Sequence, residues 1–287
     1  MSISDTKPFI YNVPWKSSSV HFGDHLGTQR GSGDDYKGNA SLLEYPDARR
    51  MDLRQTLRDP YEQVQVRTFN QTNTTPVFAV CDVSSSMQFG STRRKLDKAM
   101  QISLSVAHSA YQMGDTCGFI AYGDRVIDEL STAPSHYLAQ NLASISNLET
   151  FVERHIGSQG IIEVPLFLSQ KRSLVFWISD FHMEMSLIEK SLNAMSAHQV
   201  IPIVLWDEGE YKALPTFGFG NLIDPESGAE RTVFFTKALR QKFVSAFTER
   251  REALESLFLK FDYPALFIES DFSPDIITNY FQQYMSV

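Results

Sequence analysis

Val77-Phe-Ala-Val-Cys-Asp-Val-Ser-Ser-Ser-Met87 is the stretch on which the reading of this chain turns. Its first five residues form a short, continuous apolar run, as expected for a strand buried on both faces. Asp82 then opens a polar loop in which Ser84 and Ser86 stand two and four residues beyond the acid. From residue 94 to 113 apolar side chains recur at helical spacing, which predicts a helix with Leu96, Ala99, Met100, Ile102, Leu104, Ala107 and Tyr111 inward. Gly114-Asp115 ends it, and residues 116–122 read as the next strand. Gly123-Asp124 is a tight-turn dipeptide, so residues 125–130 are expected to fold back as an antiparallel edge strand.

The same alternation continues towards the C-terminus. A helix is expected over 135–155 with a break near Ser144, strands over 173–179 and 200–206, and a helix near 187–198 between them. Residues 208–235 contain Pro215, Gly218, Gly220, Pro225 and Gly228, and read as a loop or hairpin insertion. The longest helix follows over 236–261, with Leu239, Phe243, Phe247, Leu254, Leu257, Phe258 and Phe261 on one side and Glu249 to Glu252 facing water. A last strand spans 265–269, and a last helix spans 273–285 with Ser273 as N-cap and Pro274 in its first position. Strands and helices thus alternate over about 210 residues, which implies an α/β fold with a largely parallel sheet covered on both faces.

Residues 1–75 read differently. The stretch from His21 to Asp35 is rich in Gly, Ser and Asp, so it reads as a loop-rich arm that buries little apolar area by itself. Asp47, Arg49, Arg50, Asp52, Arg54, Arg58 and Asp59 mix in sign, as in a short solvated helix whose ion pairs tie the arm to the main body. Residues 64–69 alternate apolar and polar, the mark of a half-buried strand. The division expected is therefore an N-terminal arm, 1–75, packed on a main domain, 76–287, with the 208–235 insertion.

Bulk properties narrow the function. A net charge of −8 argues against nucleic acid as the main partner, because phosphate binding needs a basic face. No apolar run approaches the roughly 20 residues of a membrane helix. The N-terminus lacks the basic-then-apolar pattern of a secretion signal. Cys81 and Cys117 are the two cysteines, both in strand-like runs, and read as reduced core thiols in a cytoplasmic protein. There is no Gly-X-X-X-X-Gly-Lys-Ser/Thr loop for a nucleotide and no Gly-X-Ser-X-Gly elbow for a hydrolase.

In open parallel sheets, ligands collect at the carboxyl ends of strands near the point where strand order reverses. Asp82 and Asp180 both occupy such ends, and Ser84 and Ser86 can point the same way from one tight loop. Hard oxygen donors of this kind suit magnesium, manganese or calcium rather than zinc. The alternative is structural, since serines after a strand often cap the next helix. His182, just beyond Asp180, is either a rim residue or a surface-loop histidine. Arg93, Arg94, Lys95 and Lys98 read as the exposed start of a helix rather than a phosphate site.

The segment 77–87 resembles the first strand and metal-ion-dependent adhesion loop of von Willebrand A domains. Three further stretches, Tyr45-Pro-Asp-Ala-Arg-Arg through Leu57-Arg-Asp-Pro60, Gly114-Asp-Thr-Cys-Gly-Phe119 and Leu174-Val-Phe-Trp-Ile-Ser-Asp-Phe181, are similar to one bacterial branch. That branch is the A-domain family encoded beside MoxR-type AAA+ ATPases, domain-of-unknown-function family fifty-eight, and the wording around 45–60 most resembles its version in methanol dehydrogenase maturation clusters. The resemblance implies a Rossmann-like sheet of about six strands with one antiparallel edge. It also implies a metal site on Asp82, Ser84, Ser86 and Asp180 and a non-enzymatic role: binding an acidic group of a partner as adaptor to a MoxR-type ATPase and its client.

A fifth ligand, usually a threonine, is implied before the Asp180 strand. Here the loop is His155-Ile-Gly-Ser-Gln-Gly-Ile-Ile162, without threonine. Ser158 could take that place, or Gly160 could occupy it and supply nothing. Two rival readings follow: a metal-independent scaffold, and a metal-assisted hydrolase with His182 as its base.

Overall fold

The computed structural model describes residues 7–13, 15, 25–152, 157–211, 217–223 and 230–285. The expectations for His21, for the end of the helix beyond residue 152 and for Pro215, Pro225 and Gly228 lie outside the described residues.

The strand read at 64–69 is present as β2 (Gln65–Asn73), and it pairs antiparallel with β1 (His25–Ser41), where a loop-rich stretch was expected. Composition misleads here because the pairing is a backbone matter. The register slips three times along the pair, and Gly38 takes a positive φ of 148°. Between the strands, Ala48–Arg50 makes a 3₁₀ turn and α1 (Leu53–Thr56) a single helical turn, capped by the side chains of Asp47 and Asp52. The mixed charges of this segment include the pairs Arg50–Asp47 and Arg67–Asp52, which close within the segment itself.

The main body is a six-stranded sheet. In chain order its strands are β3 (Pro76–Asp82), β4 (Thr116–Tyr122), β5 (Thr132–Ser135), β6 (Leu174–Ser179), β7 (Gln199–Leu205) and β10 (Leu266–Ile268). They lie in the order β10-β7-β6-β3-β4-β5, all parallel except β5 against β4. The antiparallel edge is thus present but is residues 132–135, not 125–130. Residues 125–130 make one bridge, Tyr122 to Val126, and then turn, with Ile127 O accepting from both Leu130 N and Ser131 Oγ. Those local bonds use the backbone groups that an edge strand would have offered to β4.

Alternation along β3 explains the two layers. Val77, Ala79 and Cys81 face one core with α2 (Lys95–Gln112), α3 (Leu138–Ser146) and α7 (Pro274–Tyr284), while Phe78 and Val80 face the other. On that second face lie α4 (Val164–Phe167), α5 (Met185–Ala194) and the C-terminal half of α6 (Lys237–Leu259). Phe9, Tyr11 and Val13 are buried in the first core. Phe9 N donates to Ser109 Oγ at 2.8 Å, and Tyr11 Oη donates to Asp115, whose other oxygen receives Thr75 N at 2.7 Å. Tyr111 is exposed rather than inward, because Ala110 takes the buried position on that turn of α2.

The insertion is a hairpin, β8 (Gly218–Ile223) with β9 (Glu230–Phe235), on which Phe217 and Phe219 remain exposed against Phe234. Cys81 and Cys117 are free and buried, and burial pushes the Cys117 thiol up to about 12, which makes it unreactive at neutral pH. Among the described residues no helix is long and apolar enough to cross a membrane.

Candidate functional site

β4 lies on one side of β3 and β6 on the other, so the strand order reverses at β3. Cys81 pairs with Ile178, which sets Asp82 beside Ser179 at the carboxyl ends of two neighbouring strands. Beyond Asp82 the chain enters a 3₁₀ turn over Ser85–Gln88. Asp82 Oδ1 accepts Ser84 N at 2.8 Å, bending the loop back over the strand end. Ser84 Oγ and Ser86 Oγ then lie 3.1 Å apart, so both hydroxyls share one side of the loop. Ser179 Oγ donates to Asp82 Oδ2 at 2.7 Å, and Ser158 Oγ reaches the same oxygen at 3.2 Å. Asp82, Ser84, Ser86, Ser158, Ser179 and Asp180 are all buried.

Ser158 rather than Gly160 faces the acid. Gly160 N donates to Gly123 O at 2.8 Å, and a Cβ at Gly160 would come within 2.5–2.7 Å of the Arg125 backbone. The glycine permits a close approach between two loops, and that approach carries Ser158 to Asp82. All five residues singled out from the sequence therefore converge on one buried spot.

The two carboxylates have different electrostatics. Among the described residues no basic side chain pairs with Asp82. Burial and then the neighbouring charge of Asp180 push its carboxyl up to about 6, although hydrogen bonds from Ser84 and Ser179 act the other way. Burial is the largest single effect on Asp180 and acts to raise it, but the Lys95 ammonium, the neighbouring His182 and hydrogen bonds from Lys95 and Ser86 together hold this carboxyl well below the usual range. Lys95 is buried, not part of an exposed helix start, and its Nζ lies 2.6 Å from both Asp180 Oδ2 and Glu210 Oε1. Lys95 is the first residue of α2, and its N donates to Phe89 O at 2.8 Å.

Residues 46–253 match the family model described as "Protein of unknown function DUF58". The chain belongs to this family. The DUF58 chain is also 32% identical over 90 residues to an "Uncharacterized protein in moxR 3'region" of Paracoccus denitrificans, covering 31% of this chain and 86% of that one. Among solved structures it is similar to the conserved hypothetical protein BatB from Bacteroides thetaiotaomicron (TM-score 0.48, 10% identity, 74% of this chain and 98% of that chain). It is also similar to an aerotolerance-related membrane protein from Bacteroides fragilis carrying multiple mutations to serines (TM-score 0.42, 14% identity, 74% of this chain and 98% of that chain).

Several residues of the DUF58 site were not anticipated. Glu210 belongs to a turn after β7, where Asp207 and Glu210 form a reciprocal capping box and Asp207 Oδ2 accepts Ser91 N at 3.2 Å. Asp207-Glu-Gly-Glu210 stands at a strand's carboxyl end, the same position rule that picked out Asp82 and Asp180, and that was the available signal. His182 is a rim residue. Its ring lies parallel to that of Trp206 at 6.2 Å, and Nε2 is 3.7 Å from Glu210 Oε1. Arg250, expected to face water, instead donates to the carbonyls of Phe181 and Met183. Phe181 has a positive φ of 53°, which costs a bulky residue about 1–3 kcal/mol, and Arg250 helps hold that turn in place. Chemically, the Asp82 cluster offers hydroxyl and carboxylate oxygens from three chain segments, a donor set that fits a hard divalent cation.

Proposed function

We propose that this DUF58 chain is a von Willebrand A-type interaction module whose Asp82 cluster holds a divalent cation, magnesium or its close analogues. The observation that carries this reading is a buried carboxylate, Asp82, ringed by hydroxyls and, among the described residues, lacking a basic partner. A buried charge of that kind is costly unless a cation compensates it. Asp82, Ser84, Ser86 and Ser158 would hold the ion, with Asp180 supplying negative charge from the adjacent strand. Bound there, the ion supplies a Lewis-acidic contact for an incoming carboxylate. With few carboxylates of its own, the site leaves room for an acidic side chain of a partner.

The reading continues as a non-enzymatic, cytoplasmic adaptor that works with a MoxR-type AAA+ ATPase and its client. Its support is the family membership and the relative named for its place beside moxR. Affinity for such an ATPase, measured by biolayer interferometry in magnesium and again in EDTA, tests it. Chelation is expected to weaken binding by about tenfold or more, about 1.4 kcal/mol. Equal affinity in both buffers removes the metal bridge.

One observation favours a second reading, a metal-independent scaffold. Lys95 already brings a positive charge to Asp180 from inside the fold.

A further inference from the structure

The ligand atoms of Asp180, His182 and Glu210 lie within 4.8 Å of one another, the spacing of a metal triad. The space they define is already served: Lys95 Nζ lies 2.6 Å from an oxygen of each acid, with its side chain fully buried. The stem of Lys95 rises from the same chain segment that carries Ser84 and Ser86, so the lysine and the serine loop share one support. Asp180 is common to both groups, and Ser86 also contributes a hydrogen bond to it. A single carboxylate thus faces the serine loop on one side and an ammonium on the other.

We infer that Lys95 is a tethered cation of this site, seated between Asp180 and Glu210, and that it competes with a divalent metal ion for Asp180. The inference rests on the metal-holding reading of the Asp82 cluster. Like charges a few ångströms apart disfavour each other, so an ion drawn to Asp82 and Asp180 is repelled by the ammonium. Entry of a metal therefore loosens the Lys95–Asp180 contact and leaves Glu210 to retain the lysine. Glu210 also accepts Asp207 N through its other oxygen, and Asp207 holds Ser91 N, so the turn over 207–210 is tied to the loop beside the metal position. Metal occupancy and the seating of that turn become linked equilibria. The consequence is a site whose resting charge is internally balanced at Asp180, and whose metal affinity is set below what its oxygen donors alone would give.

The test is a titration of the full chain with MnCl₂, following free Mn²⁺ by EPR, for wild type, Lys95→Met and Lys95→Met/Asp82→Asn. Lys95→Met is expected to bind Mn²⁺ about 5- to 150-fold more tightly than wild type, the ordinary range for coupling between two linked sites. Loss of that gain in the double variant supports both the inference and the Asp82 reading. A gain that survives Asp82→Asn supports the competition by Lys95, with Mn²⁺ seated at Asp180, His182 and Glu210, and counts against the Asp82 reading. Wild type that binds Mn²⁺ as tightly as Lys95→Met overturns the inference and leaves the reading standing. No binding by either protein overturns both. Should Lys95→Met not fold, thermal unfolding of Lys95→Gln decides: Mn²⁺ should raise its Tm more than that of wild type, and an equal or smaller rise, or a second failure to fold with Mn²⁺ present, overturns the inference.

Discussion

Trp177→Ala is expected to destabilise the protein by about 3–5 kcal/mol, the range for removing a large aromatic side chain from a close-packed core. Trp177 sits on β6, the strand between β7 and β3, and its side chain is fully buried in the second core. Its ring lies 4.7 Å from that of Phe181, and its Nε1 donates to Tyr122 Oη at 2.7 Å. Truncation removes the apolar area, opens a cavity and takes a donor from a buried hydroxyl at once. The loss extends to the site, because Phe181 follows Asp180 directly and Tyr122 is the residue that pairs with Asp82 across the β3–β4 ladder. Urea denaturation followed by far-ultraviolet circular dichroism measures the effect. A change below about 1 kcal/mol would mean that the strand is not the packed centre described here.

Asp82→Asn is expected to weaken Mn²⁺ binding by at least about 100-fold, the upper end of what even outer-shell partners of a metal contribute. In the metal-free protein it should act in the opposite sense on stability. The folded Asp82 carboxyl is raised to about 6, above the value of an unfolded aspartate near 3.9. Between those values the folded state binds more protons than the unfolded state, so the contribution of Asp82 to stability falls as pH rises from about 4 to about 6 and stays low above that. Asparagine removes this dependence. The difference in stability, variant minus wild type, should therefore grow across that window in EDTA. Asp180, held low mainly by Lys95 against the effect of burial, contributes with the opposite sign: its stabilisation is present above the ordinary aspartate range and fades in acid. Loss of the Asp82 charge also lowers Asp180 further, but Asp180 stays ionised in both folded proteins across that window, so the comparison there reads the Asp82 effect. In wild type, protons compete with metal at Asp82, so Mn²⁺ affinity should drop as pH falls below about 6.

Much of the fold was legible because it rests on patterns that survive in a single sequence. The buried runs at 77–81, 174–178 and 200–205 are apolar on both faces, and the helices between them keep a helical period. Asp82, Ser84, Ser86 and Asp180 were legible because strand-end position and loop spacing are local properties. Ser158 needed the three-dimensional path of its loop, which depends on Gly160 passing close to the Arg125 backbone. Lys95 was misread because burial of a cation depends on partners 85 and 115 residues away, and no local pattern announces them. Arg250 escaped for the same reason, since its acceptors are backbone carbonyls of a turn in a different part of the chain. β2 was anticipated in the strand read at 64–69, but its partner β1 was missed because glycine- and serine-rich composition says how little a segment can bury, not whether its backbone finds a partner.

The most direct measurement is the anomalous difference density of a crystal soaked in MnCl₂ at neutral pH. A peak within coordination distance of Ser84 Oγ, Ser86 Oγ and the Asp82 carboxylate, absent from Asp82→Asn crystals treated alike, is the result predicted. Density lacking at that position in wild type, or found only between Asp180, His182 and Glu210, would contradict the assignment of the Asp82 loop as the binding edge.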